Sequence, residues 1–336
     1  MYIVGNASFF YPAIIHSYHF CDENETISIN IHEEYPYQNE WGKSDVEIYD
    51  ELLRLPNFEL KWISLVEHKI YHIKLYLKAY FNTYNVTFKY NKILFGMAPY
   101  GGIALWVRGL KKSVLVNWLQ GSEIEMSMED FHPIHPNITL QEYCDFYINK
   151  DSLVKDNLKT NGLPPRNLFD KYMQQFTYRY QPLFETWNDG EEVKWQKYKE
   201  DELKPEFEYI EESLFDGTFD KLHDDSLLKY HKAGKPKKLA IKWHIKKSEY
   251  TAYFWFEDEK ICSIFERFYG AHPDTKTDFI IRIDAEKKKY ELALFRQGLK
   301  EPQIIPEDAY QLLVFKNKFE DYRSDNYNQE RGAWIW

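Results

Sequence analysis

The strongest constraint on the fold is a run of three short apolar segments between Lys92 and Met126. Pro99-Tyr100-Gly101-Gly102 separates the first two segments, and Arg108-Gly109-Leu110-Lys111-Lys112 separates the second from the third. Segments rich in Ile, Val, Leu and Trp with such tight connections are typical of an antiparallel β-meander. The turns contain no nucleophile, phosphate-binding glycine loop or cluster of metal ligands. This region therefore predicts a sheet and indicates no chemistry.

Length and charge limit the possible classes of protein. A chain of 336 residues predicts two domains. Lys and Arg number 43 against 53 Asp and Glu, which gives a net charge of -10. This balance argues against nucleic acid as a partner, because phosphate binding requires a basic surface. The charge either steers a basic protein towards the chain or serves only to keep it dispersed.

Cysteine usage and the N-terminal sequence bear on the compartment. Cys21, Cys144 and Cys262 are far apart and odd in number, which predicts neither a disulfide framework nor a structural zinc site. The first residues lack the features of a signal peptide, and no segment is apolar over the length of a membrane span. We expect a cytoplasmic protein, or an envelope lipoprotein if a signal had been removed.

The order of patterns predicts three parts: a sheet domain over residues 1–136, a helical connector over 137–185, and a sheet-plus-helix domain over 186–336. Thr139 and Glu142 have capping-box spacing and predict a helix towards Lys159 that stops at Asn161-Gly162. A second helix is expected from Asn167 to near Tyr180. In the last part, Asp258 to Tyr269 reads as an amphipathic helix between strands.

The two sheet regions repeat one order of elements around a shared Lys-Trp pair, Lys61-Trp62 and Lys242-Trp243. Each pair is followed by a second strand, a helical stretch and a three-strand meander. This predicts an internal duplication, with Trp62 and Trp243 at equivalent positions. Two unrelated sheets with similar patterning are the alternative. The predicted fold class is α+β, with two related antiparallel sheet domains that each carry a helix and are joined by a helical connector.

Alternation along the second strand of the meander predicts its packing. Ile103, Leu105 and Val107 share one face and are expected to point into the core. Trp106 lies on the opposite face and is expected to pack against the helical connector.

Several motifs resemble those of the bacterial domain-of-unknown-function family 2931. The resemblance is carried by Ser8-Phe9-Phe10-Tyr11-Pro12, by the segments 62–71 and 95–106, and by Gln120-Gly121-Ser122-Glu123-Ile124. It covers roughly the first 135 residues, with a looser similarity from segment 169–172 through 178–180. The resemblance implies no established activity, although members are often lipoproteins and are sometimes found near secreted-toxin loci. No lipobox precedes Cys21, in which respect this chain differs from the lipoprotein type.

Candidate catalytic and metal-binding residues are few. His16 and His19, like His132 and His135, have His-x-x-His spacing, but a zinc site needs further ligands. The segment 216–220 resembles a calcium loop without its full ligand set and reads better as a turn. No nucleophile motif or Walker loop is present, so we expect neither an enzyme nor a cofactor nor a bound metal.

These observations favour a non-catalytic binding protein. The first hypothesis is an immunity protein that neutralises a secreted bacterial toxin with a basic contact surface by occlusion. A carbohydrate- or small-ligand-binding module is the alternative. Aromatic side chains in loops and exposed acidic groups are the usual anchors and rims of interfaces. The candidate partner-binding residues are Trp41, Tyr100, Asp224, Asp225 and Trp334. Alternatively, Trp334 and the nearby Trp336 pack back onto the second domain and contact no partner.

Overall fold

The chain forms two compact units. The computed structural model describes residues 2–7, 11–21, 28–32, 36–37, 41, 48–49, 57–77, 79–80, 92–109, 112–131, 137–191, 193–198, 204–286 and 288–318. The first unit comprises Met1–Gln174 together with Phe215–Phe219, and the second comprises Gln175–Leu214 and Asp220–Trp336. Sheets dominate and helices are few, which confirms the predicted α+β class.

The first unit contains two sheets. Its strands are β1 (Tyr2–Ala7), β2 (Ala13–Cys21), β3 (Ser28–His32), β4 (Pro36–Tyr37), β5 (Ile48–Tyr49), β6 (Asn57–Ser64), β7 (Lys69–Tyr76), β8 (Lys92–Met97), β9 (Gly102–Arg108), β10 (Ser113–Gln120) and β11 (Ser122–Ile124). One sheet has the order β10-β9-β8-β1-β5, with β1 and β8 parallel, and contains the predicted meander. The other has the order β11-β7-β6-β2-β3, with β4 on β2. Apolar side chains from both sheets form the core between them.

The helices of the first unit follow its sheets: α1 (Met128–Phe131), α2 (Leu140–Lys150), α3 (Ser152–Asn161) and α4 (Leu168–Met173). The predicted capping box at Thr139 and Glu142 is confirmed, and α3 ends before Gly162 as expected. The single helix predicted up to Lys159 was wrong. Asp151 has an extended backbone and accepts the N–H groups of Leu153 and Val154, so it ends one helix and caps the next.

The helix predicted from Asn167 to Tyr180 is also shorter than expected. It ends at Met173, and strand β12 (Phe176–Trp187) begins three residues later because its backbone pairs with other strands of the second unit. Contacts assign residues up to Gln174, with α1 to α4, to the first unit and β12 to the second. The separate helical connector over residues 137–185 stays a prediction.

The predicted packing of the meander is confirmed. Ile103 and Leu105 lie in the core between the two sheets of the first unit, and Val107 is also buried. Trp106 faces the other way and packs with Leu115 and with Met173 from α4. The indole N–H of Trp106 donates to the backbone oxygen of Asp216 at 2.8 Å, within the segment 215–219 that belongs to this unit.

The second unit also contains two sheets. Its further strands are β13 (Trp195–Lys197), β14 (Glu206–Leu214), β15 (Phe219–Leu222, whose first residue belongs to the first unit), β16 (His231–Ala233), β17 (Pro236–Ile245), β18 (Ser248–Phe256), β19 (Thr277–Asp284), β20 (Lys289–Arg296), β21 (Gln303–Ile305) and β22 (Tyr310–Lys318). The orders within the unit are β22-β18-β17-β14 and β13-β12-β19-β20-β21, with β16 on β12. Its helices are α5 (Asp224–Leu227) and α6 (Asp258–Tyr269), and α6 has the predicted bounds.

The two units repeat one pairing scheme. Strand β1 runs parallel to β8, as β12 does to β19. The hairpin β6–β7 corresponds to β17–β18, and its outer neighbours β2 and β11 correspond to β14 and β22. The last strand of the predicted second meander is therefore placed differently: Tyr310–Lys318 pairs with β18, and β21 is the strand that follows β20.

The register around the two tryptophans also repeats. Trp62 lies opposite Tyr71 and Trp243 opposite Tyr250, and each ring pair stacks at a centroid distance of 5.6 Å. Both tryptophans are fully buried. In each unit the neighbouring strand shifts register at the residue after the tryptophan's partner, at His16 in β2 and at Glu208 in β14. Such a shared bulge is what an internal duplication predicts.

Candidate functional site

The two units differ in what lies on the outer face of the tryptophan-bearing sheet. In the first unit, Ile14, Ile63 and Ile70 form one row across β2, β6 and β7. Side chains of α1 and α2 pack on this row, including Phe131 and Tyr143. The apolar row therefore has an apolar cover within its own unit.

The corresponding row of the second unit is polar. It consists of Glu206, His244 and Glu249, one residue from each of β14, β17 and β18. Glu206 is exposed and His244 is partly exposed, while Glu249 is buried and pairs with Lys242 at 2.7 Å, so this row needs no apolar helix over it. The same pairing scheme therefore carries a covered outer face in one unit and a polar row in the other.

The remaining rows of the second unit form an aromatic surface. We define the aromatic face as the outward side chains of Tyr209, Tyr253, Trp255, Leu313 and Phe315, from strands β14, β18 and β22. Leu313 and Phe315 are 51% and 42% exposed, and the other three are half-buried. Tyr253 stacks on Trp255 at 5.5 Å and meets the edge of Phe315 at 5.8 Å. Large half-exposed rings held by one another are typical of the anchors of protein interfaces.

Lysine side chains lie on the rings of this face. Lys238 Nζ is 5.0 Å from the ring centre of Tyr253 and 5.4 Å from that of Trp255. Lys221 Nζ is 3.4 Å from the ring centre of Tyr209, and Lys242 Nζ is 5.6 Å from it. These contacts fix the orientation of the rings, since an ammonium group is attracted to the face of an aromatic ring.

An ion-pair network borders the aromatic face. Glu208, His244 and Glu249 are close enough for one atom of each to reach a common metal ion. Lys242 Nζ, however, lies 2.7 Å from Glu249 and 3.5 Å from Glu208. The ammonium group already supplies the positive charge that these carboxylates need, so the cluster functions as an ion-pair network. His244 Nε2 completes it at 2.6 Å from Glu208.

The network shifts the pKa of two of its members. Burial raises the pKa of Glu208, but the hydrogen bond with His244 and the charge of Lys242 outweigh burial, so the pKa lies below its usual value. Burial lowers the pKa of Lys242, but its hydrogen bond to Glu249 reverses that effect and raises the pKa. Both shifts favour the charged forms that the network requires.

Trp41, predicted as a contact anchor, packs inside the first unit. Its ring meets Trp106 edge-on at 5.0 Å and lies 5.3 Å from Phe169 of α4. Gly96 leaves room for these indoles, because a Cβ there would lie 2.3 Å from Trp106 and 3.0 Å from Trp41. The position of Trp41 is that of a partly buried packing residue.

Tyr100, the second predicted anchor, is held by three different segments. Its backbone N–H donates to Glu67 Oε2 at 2.7 Å, and its hydroxyl donates to the backbone oxygen of Pro164 at 2.8 Å. Its backbone oxygen accepts from the side chain of Gln120, and its φ of 64° is left-handed. Burial and then the Glu67 carboxylate raise the pKa of Tyr100. The structure ties this side chain into a turn.

Glu67 is the centre of that arrangement. Its carboxylate also accepts hydrogen bonds from the hydroxyl of Ser64 at 2.7 Å and of Tyr71 at 3.0 Å. Tyr71 in turn lies against Gly101, where an added Cβ would be 2.8 Å from its ring. Segments 62–71, 95–106 and 120–124, which carry the family resemblance, therefore meet at one structural cluster around Glu67.

The other predicted site residues are dispersed. Asp224 and Asp225 are exposed at the start of α5 in the second unit. Trp334 and Trp336 lie outside the described residues, as do His132 and His135. His16 is engaged with the backbone oxygen of Phe131 at 3.0 Å. Asp216 accepts the backbone N–H of Thr218 at 2.9 Å, which fits the turn predicted for segment 216–220.

The aromatic face was not predicted from the sequence. The pattern that indicates it lies in Tyr250 to Phe256, where aromatic residues occupy both faces of one strand. Tyr250 and Phe254 point inward, so Tyr253 and Trp255 must point outward. A strand with aromatic residues on both faces predicts that both faces have an apolar neighbour.

A buried carboxylate in the second unit was also missed. Glu212 is only 2% exposed and accepts a hydrogen bond from the Tyr180 hydroxyl at 2.7 Å. Burial and then the charge of Glu212 raise the pKa of Tyr180. The alternation of β14 predicts that the side chain of Glu212 points inward. The sequence of β14 does not show which group donates a hydrogen bond to the buried carboxylate.

No helix in the part of the chain that the structure describes is both long and apolar enough to cross a membrane.

The comparisons with known proteins concern the first unit. Comparison with curated proteins and with solved structures gave no match. Residues 2–165 match the model of a family described as "Protein of unknown function (DUF2931)". This range contains the cluster around Glu67 and all the motifs of the first 135 residues that suggested the family. The family model thus matches residues 2–165 of this chain, and it is the family that the resemblance predicted.

Proposed function

We propose that the chain is a non-catalytic binding protein that neutralises a bacterial toxin by covering its functional surface. The aromatic face carries this proposal, because it exposes large apolar side chains on a rigid sheet at positions where the first unit has other residues. A face of this kind supplies the buried anchors that a stable interface needs. The toxin is suggested by the association with toxin loci that the family resemblance implies.

Charge supports a basic partner. The lysines of the aromatic face lie on rings or beside Glu208 and Glu249. The net charge of -10 belongs to the chain as a whole, and the exposed Asp224 and Asp225 contribute to it. An acidic protein attracts a basic partner over distances of about 10 Å, and salt weakens that attraction.

The aromatic face suits a protein better than a sugar. A sugar ring stacks on an open aromatic face, whereas Lys238 lies over the rings of both Tyr253 and Trp255. An amphipathic surface of rings and lysine stems, with carboxylates at its border, resembles the mixed composition of protein interfaces. Carbohydrate binding therefore remains the alternative outcome of the test.

The repeated pairing scheme provides a matched control. Trp255 in β18 and Tyr76 in β7 occupy corresponding register positions. Each lies five residues after the tyrosine that stands opposite the buried tryptophan of its unit, Tyr250 and Tyr71 respectively. Tyr76 is 45% exposed. Truncating either side chain therefore removes an outward ring from the same place in the scheme, but only Trp255 belongs to the aromatic face.

The experiment is titration of the purified chain with the toxin encoded by its neighbouring gene, after co-expression shows rescue of growth. Trp255→Ala should weaken binding by about 30-fold or more, as expected for an anchor worth at least about 2 kcal/mol. Tyr76→Ala should change the Kd less than about threefold. The proposal fails if the neighbouring product is not toxic, if it does not bind, or if the two variants bind equally well. Binding of a glycan with loss in Trp255→Ala would support the alternative.

A further inference from the structure

A buried turn from the second half of the sequence lies in the first unit. Residues 215–218 connect β14 to β15 and are all buried, and Asp216 is fully so. Its Oδ1 accepts the backbone N–H of Thr218 at 2.9 Å, and Gly217 has a left-handed φ of 80°. Connecting turns normally lie on the surface, so the burial of this one indicates that it is docked. We define residues 215–219 as the clip; the residues on either side of it belong to the second unit.

The clip covers an edge of β10. Phe219 pairs with Ser113 in antiparallel register. Two residues further along β10, the backbone N–H of Leu115 donates to Thr218 Oγ1 at 3.3 Å. Strand β10 has an irregularity directly after Leu115, where its register with β9 shifts. A buried backbone donor needs an acceptor, and at this point of the strand edge the clip provides one.

The clip also completes the surroundings of Trp106. The backbone oxygen of Asp216 accepts the indole N–H of Trp106 at 2.8 Å, and the ring of Phe215 stacks on that of Tyr172 at a centroid distance of 5.1 Å. Trp106, Leu115 and Tyr172 belong to one apolar cluster of the first unit. Trp106 is fully buried, and a buried indole N–H requires an acceptor. The clip therefore supplies this cluster with both a ring and a hydrogen-bond acceptor.

We propose that the clip is a latch of the first unit: β10 and the apolar cluster around Trp106 stay closed while the clip is docked and open locally when it is released. The clip docks through a stacked ring, a strand bridge and hydrogen bonds, and contacts of so few residues can break without global unfolding. The site beneath it takes a β-turn that begins with an aromatic residue, and residues 215–219 are its ligand. Both the clip and Tyr172 lie beyond residue 165, so the part of the chain outside the family match controls the closure of the matched part.

Hydrogen exchange measured by mass spectrometry on the full chain tests the latch without any toxin, so its result is independent of the proposed function. Phe215→Ala removes the stacked ring, and Thr218→Val removes the acceptor of the Leu115 N–H while it keeps the shape of the side chain. Phe146→Ala and Thr160→Val are the matched controls, since both side chains are exposed on helices of the first unit.

The backbone amides of β10 should exchange at least about tenfold faster in both clip variants, because loss of a buried ring contact or hydrogen bond favours the open form by about that factor. In the two control variants the exchange of β10 should stay within about twofold of the unsubstituted chain. The amides of β19 in the second unit should exchange at the same rate in all four variants, which also shows that the variants are folded. Unchanged exchange of β10 in the two clip variants, or an equal acceleration in β10 and β19, would overturn the proposal.

Discussion

Replacement of Glu67 by alanine is expected to destabilise the first unit strongly. The carboxylate accepts three hydrogen bonds, from Ser64 Oγ at 2.7 Å, from Tyr71 Oη at 3.0 Å and from the backbone N–H of Tyr100 at 2.7 Å. Ser64 and Tyr71 are 3% and 4% exposed, so their hydroxyl groups lose an acceptor in a largely dry environment. Tyr100 also loses the bond that helps to hold its left-handed backbone.

The magnitude follows from the number of donors left without an acceptor. A buried donor without a partner costs about 1–3 kcal/mol, and bonds to a charged group are at the upper end. Two such donors, with the third partly satisfied by water, predict a loss of about 2–5 kcal/mol in the free energy of unfolding. This would be a large part of the stability of a typical domain.

Glutamine at position 67 separates geometry from charge. Its amide oxygen retains the two bonds that Oε2 accepts, and its NH₂ donates to the Tyr71 oxygen, because a phenol both donates and accepts. Glu67→Gln should therefore cost only about 1 kcal/mol, through loss of the charge. Glu125→Ala, at an exposed position of the same unit, should stay within about 0.5 kcal/mol of the unsubstituted chain.

Urea unfolding followed by circular dichroism and tryptophan fluorescence measures these differences, with separate transitions fitted if the two units unfold independently. A loss below about 1 kcal/mol for Glu67→Ala would show that the carboxylate does not hold the turn. Equal losses for the alanine and glutamine variants would show that charge, and not the geometry of the three bonds, stabilises the cluster.

Three further predictions concern packing and pH. Leu105→Ala should lower the free energy of unfolding by about 2–5 kcal/mol in urea unfolding, because Leu105 is 2% exposed between the sheets; a loss below about 1 kcal/mol would contradict its placement. Gly121→Ala should cost about 1–3 kcal/mol in the same assay, since an added Cβ would lie 2.3 Å from Trp62 Cη2; an unchanged midpoint would show that the indole moves freely. Glu208 has a lowered pKa, so its stabilising contribution is complete above the ordinary value of 4.5 and is lost as the pH falls below it. Because Glu208 is partly exposed, Glu208→Gln should cost less than about 1 kcal/mol at pH 7 and progressively less as the pH falls below 4.5. A cost that does not change with pH would indicate that the bond to His244 does not depend on charge.

Local patterns predicted much of the first unit. Alternation in segment 103–107 gave the correct inward face, because side chains of a strand must point to opposite sides. Thr139 and Glu142 gave the correct start of a helix, because both ends of a capping box lie within four residues of each other. The single helix predicted up to Lys159 is interrupted at Asp151. At this position the helix can either continue or end with Asp151 as the cap of a new helix, and the choice depends on the backbone conformation of Asp151.

The surroundings of the proposed contact residues were harder to predict, because a loop position does not show what lies over it. Trp41 and Tyr100 stand in turns, yet one packs on Trp106 and the other bonds to Glu67, and both contacts join residues far apart in the sequence. Asp224 and Asp225 are exposed as expected. The acidic and aromatic composition indicated a binding surface but could not locate it.

The sequence by itself determined which segments form strands, which residues alternate and which sites begin and end most helices, because those choices depend on neighbours within a few positions. Tertiary structure decided which rows of side chains form across strands. Ile14, Ile63 and Ile70 align in one unit, and Glu206, His244 and Glu249 align in the other. The alignment depends on the pairing of distant strands and on a bulge that shifts one of them by a residue. Since a face becomes a core or a surface only through what packs on it, the aromatic face exists in the folded sheet and cannot be read from any single strand.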